Sequence, residues 1–335
     1  MTPDTTGYKE GSLVNVTENA ISFPTNGTLT AKDAPPQGLS HLYVLLTTLF
    51  FSLIISAGLF RNSLIVATLT RWREMRTPYN LLIANICVSD LGVCVIAAPL
   101  RIIENYLGWI FGHVMCYILT PLQDVFVVVS VVTQTAIALE RQRPIATPMK
   151  PKITSKRVKT LVPVIWIACY LTAEIPMMVF LKNKLYDSGY YFCFPVFTSD
   201  GYRIAYEVYL VVVFIVLPLV IQCAAYFGVI RALRARNQLQ QNSLQKKTFN
   251  DWARQKKRLI RMLLLLMLVF QACYLPRGVI MLVQEFFPQT TSKPEFHYVE
   301  MTTLAMYYLK HVINPFILWA TSNDFRTACL RLCVH

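Results

Sequence analysis

Charged residues are scarce in this sequence. They make up 15% of its 335 residues, whereas hydrophobic residues make up 55%. A soluble domain of this length carries about a quarter charged residues. The composition therefore excludes an ordinary soluble domain and indicates an integral membrane protein.

The residue patterns of metal sites and enzymes are also missing. The nine cysteines contain no CxxC spacing, and no histidine belongs to a spaced cluster with a nucleophile. The histidines are His41, His113, His297, His311 and His335. We therefore expect no enzyme activity and no cofactor.

Acidic residues are outnumbered by basic ones. The chain has 18 Asp and Glu against 32 Lys and Arg, a net charge of +14. The basic residues cluster between apolar segments on alternate sides, which is the positive-inside pattern of membrane proteins. A nucleic-acid partner would need a basic soluble domain, which is not present, so the lipid bilayer is the expected partner of this charge. The clusters lie within 71–76, 141–159, 231–247 and 254–261.

Seven apolar segments follow one another along the chain, and each is long enough to span a hydrocarbon core of about 30 Å. They predict an all-α membrane protein, a bundle of seven transmembrane helices over 41–320. The segments are 42–70, 79–104, 113–140, 158–181, 204–231, 259–287 and 297–320.

Residues 1–40 form a polar stretch without helical periodicity. It contains two glycosylation sequons, at Asn15 and Asn26. We therefore expect a disordered, glycosylated extracellular tail. No apolar signal peptide precedes it, so the first span is expected to direct insertion. An odd number of spans then places the C-terminus in the cytoplasm.

The stretch after the fourth segment has the pattern of a β-hairpin. Residues 179–186 and 190–194 are strand-like and flank a turn at 187–189. Cys116 and Cys193 are the cysteines at predicted outer ends of spans. A Cys116–Cys193 disulfide would tether the hairpin as a partial lid over the bundle, and the alternative is a loose loop.

Residues 321–335 are expected to form a cytoplasmic amphipathic helix and a short tail. Helical spacing places Phe325, Cys329 and Leu332 on one face, which suits a helix on the inner membrane surface. Cys329 and Cys333 are candidate palmitoylation sites. The alternative is that both remain unmodified thiols.

Polar, aromatic and proline markers recur through the segments in a fixed order. Singly they are weak, but together they resemble the rhodopsin-like G-protein-coupled receptors over 42–333. The markers are Asn62, Asp90, Trp109, Glu140-Arg141, Trp166, Pro218, Tyr226, the 270–276 segment and Asn314-Pro315.

This resemblance implies a plasma-membrane receptor that activates a heterotrimeric G protein and also binds arrestin. In the family, span six swings outward about a proline, here Pro276, and exposes a cleft to which the resemblance assigns Arg141. The implied switch residues are Asp90, Glu140, Arg141, Tyr226, Pro276, Asn314 and Pro315.

Several positions depart from the family pattern. Leu318 replaces the tyrosine that follows Asn-Pro, and Tyr274 stands where most members have tryptophan. Lys256 occupies a position where some members place a glutamate opposite the arginine, so Glu140 alone is expected to hold Arg141. The missing tyrosine at Leu318 is expected to weaken the active state, and the missing acid at Lys256 is expected to weaken the resting state. The direction of basal signalling therefore stays open.

Span seven carries a lysine, Lys310, at a position where the family pattern has no basic residue. In the family, Asp90, Ser130 and small polar residues near Asn314 surround a sodium ion. Lys310 lies four residues before Asn314 and on its helical face. It is expected either to pair with Asp90 and replace the ion, or to turn away and snorkel.

The ligand site is expected between the outer halves of the helices. Gln123 stands where amine receptors place an aspartate, which argues against an amine ligand. Together with the 270–276 segment it resembles the neuropeptide branch, near the orexin, neuropeptide FF and RFamide receptors. The candidate ligand-binding residues are Gln123, Asp124, Glu207, Tyr274, Arg277, Glu285 and Tyr308.

Two of these candidates carry specific expectations. Glu285 matches an acidic position that some peptide receptors use for a basic ligand. An unpaired Arg277 inside the bundle would be costly. We expect it to pair with Asp124, while Glu207 or an anionic ligand group are the alternatives.

Other function classes fit less well. A receptor for a small or acidic ligand remains the main alternative to a peptide receptor. A light sensor would need a lysine where this chain has Tyr308, and Lys310 is rotated by about 200° from that position. A transporter is not indicated, because the sequence shows neither inverted repeats nor broken helices.

Overall fold

The computed structural model describes residues 41–146, 153–185, 191–240, 246–291 and 293–334. The 1–40 tail, with the sequons at Asn15 and Asn26, lies outside the described residues. Within the described part, the chain forms long helices and one small sheet. The predicted class, a helical bundle with a short hairpin, is therefore confirmed.

The described ranges contain seven long helical spans, which we number in chain order, and a final short helix. Spans two, four and five are each interrupted by one π-helical turn. Four spans are continuous: span one is His41–Arg71, span three is Gly112–Ala146, span six is Lys246–Phe286 and span seven is Pro294–Thr321. Span two consists of Pro78–Gly92, the π-helical turn Val93–Ala97 and Ala98–Leu107. Span four consists of Ser155–Cys169, the π-helical turn Tyr170–Glu174 and Ile175–Met178, and span five of Asp200–Val211, the π-helical turn Val212–Val216 and Leu217–Gln240. The final helix is Asn323–Val334, and short helical turns lie at Arg73–Met75 and Pro288–Thr291.

Six of the spans, one to six, are long and apolar enough to cross a membrane. Span seven has 28 residues, about 42 Å of helix, but Lys310, His311 and Asn314 lower its hydropathy. These three side chains are at most 2% exposed. These three polar groups therefore face the inside of the bundle, which is where membrane proteins keep such groups.

A proline follows each of the three π-helical turns at the second position. These prolines are Pro99, Pro176 and Pro218. Proline has no N–H and its ring clashes with the carbonyl four residues earlier, so a locally wider turn accommodates it without breaking the span. Pro276 and Pro315 lie within spans six and seven without such a turn.

Caps fix where three spans begin. The Thr77 hydroxyl accepts from the Asn80 amide, the Thr154 hydroxyl from the Arg157 amide, and the Ser199 hydroxyl from the Tyr202 amide. Span three then packs against spans two, four and five, and span six packs along span seven. Span three is thus the central helix on which the sites below are built.

The predicted hairpin and disulfide are confirmed. Strands β1, Leu181–Leu185, and β2, Tyr191–Pro195, are antiparallel and place Asn183 opposite Cys193. Cys193 is bonded to Cys116 at the start of span three. The hairpin thereby marks one end of the bundle, which we call the hairpin end; the opposite end, where the basic clusters lie, is the basic end.

The final helix packs on the bundle through its apolar face. Phe325, Ala328 and Cys329 are at most 8% exposed, and the helix contacts spans one and seven. Cys329 Sγ lies 3.5 Å from the Thr68 hydroxyl of span one. Span one therefore covers the Cys329 thiol, and its palmitoylation stays a prediction. The side chain of Cys333 lies outside the described part.

Candidate functional site

A buried ionic cluster joins spans two and seven in the middle of the bundle. Asp90, Lys310 and His311 are each fully buried. Lys310 Nζ lies 3.4 Å and His311 Nδ1 lies 2.6 Å from the same carboxylate oxygen, Asp90 Oδ1. Lys310 therefore points into the bundle towards Asp90 rather than away from it.

Two neutral side chains complete the hydrogen bonding of this carboxylate. The Ser130 hydroxyl of span three donates to Asp90 Oδ1 at 3.0 Å, and Asn314 Nδ2 donates to Oδ2 at 3.2 Å. Lys310 also donates to the Ser130 hydroxyl. The side chains that hold a sodium ion in the resembled family thus surround the ammonium group of this chain's own lysine.

His311 links this cluster to span six. Its Nε2 lies 3.1 Å from the Tyr274 hydroxyl. The neutral tautomer with the proton on Nδ1 satisfies both contacts, because it donates to Asp90 and accepts from Tyr274. The Tyr274 ring stacks on Phe270 at 4.5 Å between centroids and lies 4.7 Å from the Tyr307 ring. A continuous chain of contacts therefore runs from Asp90 to Tyr307.

Asp124 is the centre of a second charged group, nearer the hairpin end. Its side chain is exposed although it lies on the central span. Charged or phenolic groups from spans two, four, five, six and seven lie within electrostatic range of it. Asp124 therefore faces an opening between the spans rather than lipid. The neighbours are Arg101, Glu104, Glu174, Tyr206, Glu207, Arg277, Tyr307 and Tyr308.

Three ion pairs lie around this opening. They join Arg101 to Glu104 at 3.4 Å, Arg203 to Glu285 at 2.8 Å and Arg277 to Glu300 at 3.6 Å. We call these six residues, together with Asp124, Glu174 and Glu207, the hairpin-end site. Its carboxylates outnumber its guanidinium groups six to three, so it favours a cation over an anion.

The expected pairing of Arg277 with Asp124 is wrong. Arg277 Nη1 instead lies 3.6 Å from Glu300 Oε1 on span seven. Spans six and seven pack side by side, so Glu300 meets Arg277 across that interface. Asp124 remains close enough to Arg277 to attract it without forming an ion pair.

The structure brings the other sequence candidates to the same region at different depths. Gln123 is 5% exposed and hydrogen-bonds Glu104. Glu207 lies near Glu285 and Arg277. Tyr308 and Tyr274 are at most 4% exposed; Tyr308 hydrogen-bonds Arg101, whereas the Tyr274 hydroxyl contacts His311.

Sequence reasoning missed Glu174, Arg203 and Glu300. Glu174 and Glu300 are 1% and 6% exposed. Each interrupts an apolar segment, which was the available signal, because ionisable residues inside membrane spans mark functional sites by default. Arg203 begins span five in a mixed polar stretch and gave no comparable signal.

At the basic end, the side chains of Arg141 and Lys256 lie outside the described part. Tyr226 and Leu318 are each 3% exposed and belong to the same buried apolar cluster. Gln134 Nε2 donates to the Leu266 carbonyl at 3.1 Å. Spans three and six are therefore tied together by a neutral hydrogen bond near the predicted switch.

Comparison with known proteins places this architecture in a family. Residues 61–318 match the family described as 7 transmembrane receptor (rhodopsin family). The Pyroglutamylated RF-amide peptide receptor of Rattus norvegicus is 25% identical over 293 residues, which is 82% of this chain and 66% of that protein.

Two further relatives have similar identity. The QRFP-like peptide receptor of Branchiostoma floridae is 26% identical over 247 residues, 71% of this chain and 64% of that protein. The Neuropeptide Y receptor type 4 of Rattus norvegicus is 26% identical over 285 residues, 80% of this chain and 74% of that protein. The match thus spans slightly less than two thirds of the length of the RF-amide and QRFP-like receptors.

The family match covers well over half of the chain. It agrees with the membrane-length helices, the disulfide-tethered hairpin and the inward-facing polar residues of span seven. The family is one of receptors, not of enzymes. This chain therefore belongs to the rhodopsin family of seven-transmembrane receptors and is a multi-pass plasma-membrane protein.

Proposed function

We propose that this protein is a receptor for an extracellular basic peptide and that it activates a heterotrimeric G protein. The observation that carries the proposal is the acidic hairpin-end site, in which six carboxylates face three guanidinium groups. The names of the relatives support it, because two are peptide receptors and the third is a neuropeptide receptor. The proposal places the N-terminus and the hairpin end on the extracellular side of the membrane.

The shape of the hairpin end also suits a peptide. The β-hairpin is held at the rim by Cys116–Cys193, while Asp124 stays exposed between the spans. An extended chain can enter beside such a lid, with its basic group drawn in by the carboxylates. Gln123 offers no charge for the ammonium group of a small amine.

The contacts described above suggest how a bound ligand acts at a distance. Tyr307 lies within electrostatic range of Asp124 and its ring contacts Tyr274, whose hydroxyl meets His311. A ligand that shifts Tyr307 would therefore move span six near Pro276. In this proposal, span six opens the basic end, where Arg141 receives the G protein and arrestin binds later.

A peptide screen tests this function. Cells that express the receptor are challenged with amidated basic peptides, and calcium and cyclic-AMP reporters are read. We expect at least one such peptide to be an agonist, and we expect Glu207→Gln to weaken it about tenfold or more, as loss of a central charged contact does. Glu207 Oε2 is buried and has no hydrogen-bond partner among the described residues, and a cationic group of the ligand would supply the missing contact.

Glu295→Gln is the matched control, because Glu295 is an exposed acid in the first turn of span seven. It is expected to leave the agonist potency nearly unchanged. Silence towards every peptide, with responses to lipids or small acids, would contradict the proposal.

A small acidic ligand is the second candidate, and one observation favours it. Arg277 Nη1 lies 3.6 Å from Glu300 Oε1, beyond hydrogen-bond distance, and it has no hydrogen-bond partner among the described residues. This group could bind a carboxylate from a ligand. The same screen separates the two candidates, since only an acidic ligand should lose potency in Arg277→Gln while retaining it in Glu207→Gln.

A further inference from the structure

Glu174 is a buried carboxylate with no basic partner among the described residues. It is 1% exposed, and its Oε2 has no hydrogen-bond partner within the described ranges. The charged group within electrostatic range of it is Asp124, which is itself acidic. A buried carboxylate that lacks a partner is costly. Packing alone therefore does not explain a carboxylate at this position.

The position of Glu174 is fixed by the π-helical turn of span four. Glu174 is the last residue of the turn Tyr170–Glu174, and span three packs directly on this turn. Val125 and Ala173 belong to one buried cluster. Asp124 and Glu174, which are next to these residues in the chain, lie within electrostatic range of each other across spans three and four. Asp124 is on the exposed side.

The other acids of the hairpin-end site differ in one respect. Glu104, Glu285 and Glu300 each have a guanidinium group within 3.6 Å, and Glu207 has Arg277 and Arg203 within electrostatic range. The resident cations are thus already engaged on the sides of spans two, five, six and seven. Asp124 also has Arg101 and Arg277 within electrostatic range, so Glu174 is the acid of this site that lacks a nearby guanidinium group among the described residues.

An aromatic wall borders this pair of carboxylates. The Tyr206 hydroxyl donates to the Ala173 carbonyl at 2.7 Å, and Tyr206 lies within electrostatic range of both acids. Its ring lies 5.8 Å from Phe197, which lies 4.9 Å from Phe180 beside the hairpin. Carboxylates beside aromatic rings are the surroundings that bind guanidinium and ammonium groups in proteins.

We propose that Glu174 and Asp124 form a subsite for one cationic group of the ligand, with Tyr206 as its wall. Asp124 meets the cation from the opening, and Glu174 completes its charge compensation from below. The proposal rests on the receptor function proposed above. It makes Glu174, which belongs to none of the three ion pairs, a residue that decides specificity for a charged ligand.

The test compares two synthetic peptides that differ in charge alone. One ends in Arg-Phe-amide, and the other carries citrulline, the neutral analogue of arginine, in place of that arginine. Binding to the full-length receptor in lipid nanodiscs is measured from the rise in its melting temperature with peptide concentration. The variants are Glu174→Gln, Asp124→Asn and, as a surface control, Glu295→Gln.

We expect Glu174→Gln and Asp124→Asn each to weaken the arginine peptide about tenfold or more, as loss of one partner of a buried charge pair does. Both should bind the citrulline peptide within about twofold of wild type, because that peptide brings no charge to lose. Asp124 is exposed, so Asp124→Asn tests the idea even if Glu174→Gln folds poorly.

The outcomes separate this subsite from the wider function. Equal losses for both peptides would overturn the subsite, since the substitutions would then act on packing alone. If Glu207→Gln weakens the arginine peptide while neither Glu174→Gln nor Asp124→Asn does, the subsite is wrong and the peptide receptor stands. A wild-type receptor that binds neither peptide overturns both.

Discussion

Replacing Lys310 with serine is expected to destabilise the receptor by about 3–5 kcal/mol in the absence of sodium, since it leaves the buried Asp90 carboxylate without its ammonium partner. The ammonium group is 3.4 Å from Asp90 Oδ1, and both side chains are fully buried. The oxygens of Asp90, Ser130 and the new serine then surround a space that suits a small cation. We therefore expect added sodium chloride to raise the melting temperature of Lys310→Ser.

Matched controls separate a bound ion from general salt effects. Potassium chloride at equal ionic strength should stabilise Lys310→Ser much less than sodium chloride does. Lys310→Met removes the charge without supplying an oxygen, and it should be destabilised with little rescue by sodium. Wild type should respond equally to the two salts. A sodium-specific response of wild type, or none in Lys310→Ser, would show that Lys310 does not replace the ion.

Gly92→Ala is expected to be the most damaging of the glycine substitutions in the described part. A Cβ atom at Gly92 would overlap Cδ1 and Cε1 of Phe126 on span three. The Phe126 ring is 9% exposed and packs edge-on against Trp166 at 5.9 Å. The ring therefore cannot move freely, and we expect a loss of about 1–3 kcal/mol, the usual cost of overpacking a core. The apparent melting temperature of purified receptor measures it.

The partner variant makes this prediction specific. Phe126→Leu removes the ring atoms that collide, so Gly92→Ala should cost at least about 1 kcal/mol less in that background. Gly201→Ala is the control, because its Cβ would meet nothing nearer than 3.8 Å, and it should stay within about 0.5 kcal/mol of wild type. Additive losses for Gly92→Ala and Phe126→Leu would rule out the proposed collision.

Features set by local sequence were predictable. The helical spans follow from long apolar runs, and the hairpin follows from strand-like residues around a turn. The Cys116–Cys193 bond follows from both cysteines lying at one end of the bundle. Each of these depends on neighbouring residues or on the membrane, so the sequence alone carries enough information.

Features set by packing between distant spans were not predictable to the same degree. Arg277 had several acids within plausible reach, and the close packing of spans six and seven selects Glu300. Cys329 was placed on a helical face correctly, but the sequence does not tell whether that face meets lipid or span one. Lys310 is an intermediate case. Helical spacing predicted that it lies on the same face of span seven as Asn314, but only the packing of the spans shows that it contacts Asp90.

The most direct test of the account is a nucleotide-exchange assay with purified receptor in nanodiscs and purified heterotrimeric G proteins. The account predicts that an amidated, arginine-containing peptide accelerates exchange and that its citrulline analogue does so much less. The contradicting result is an unchanged exchange rate with every basic peptide, together with acceleration by an acidic small molecule.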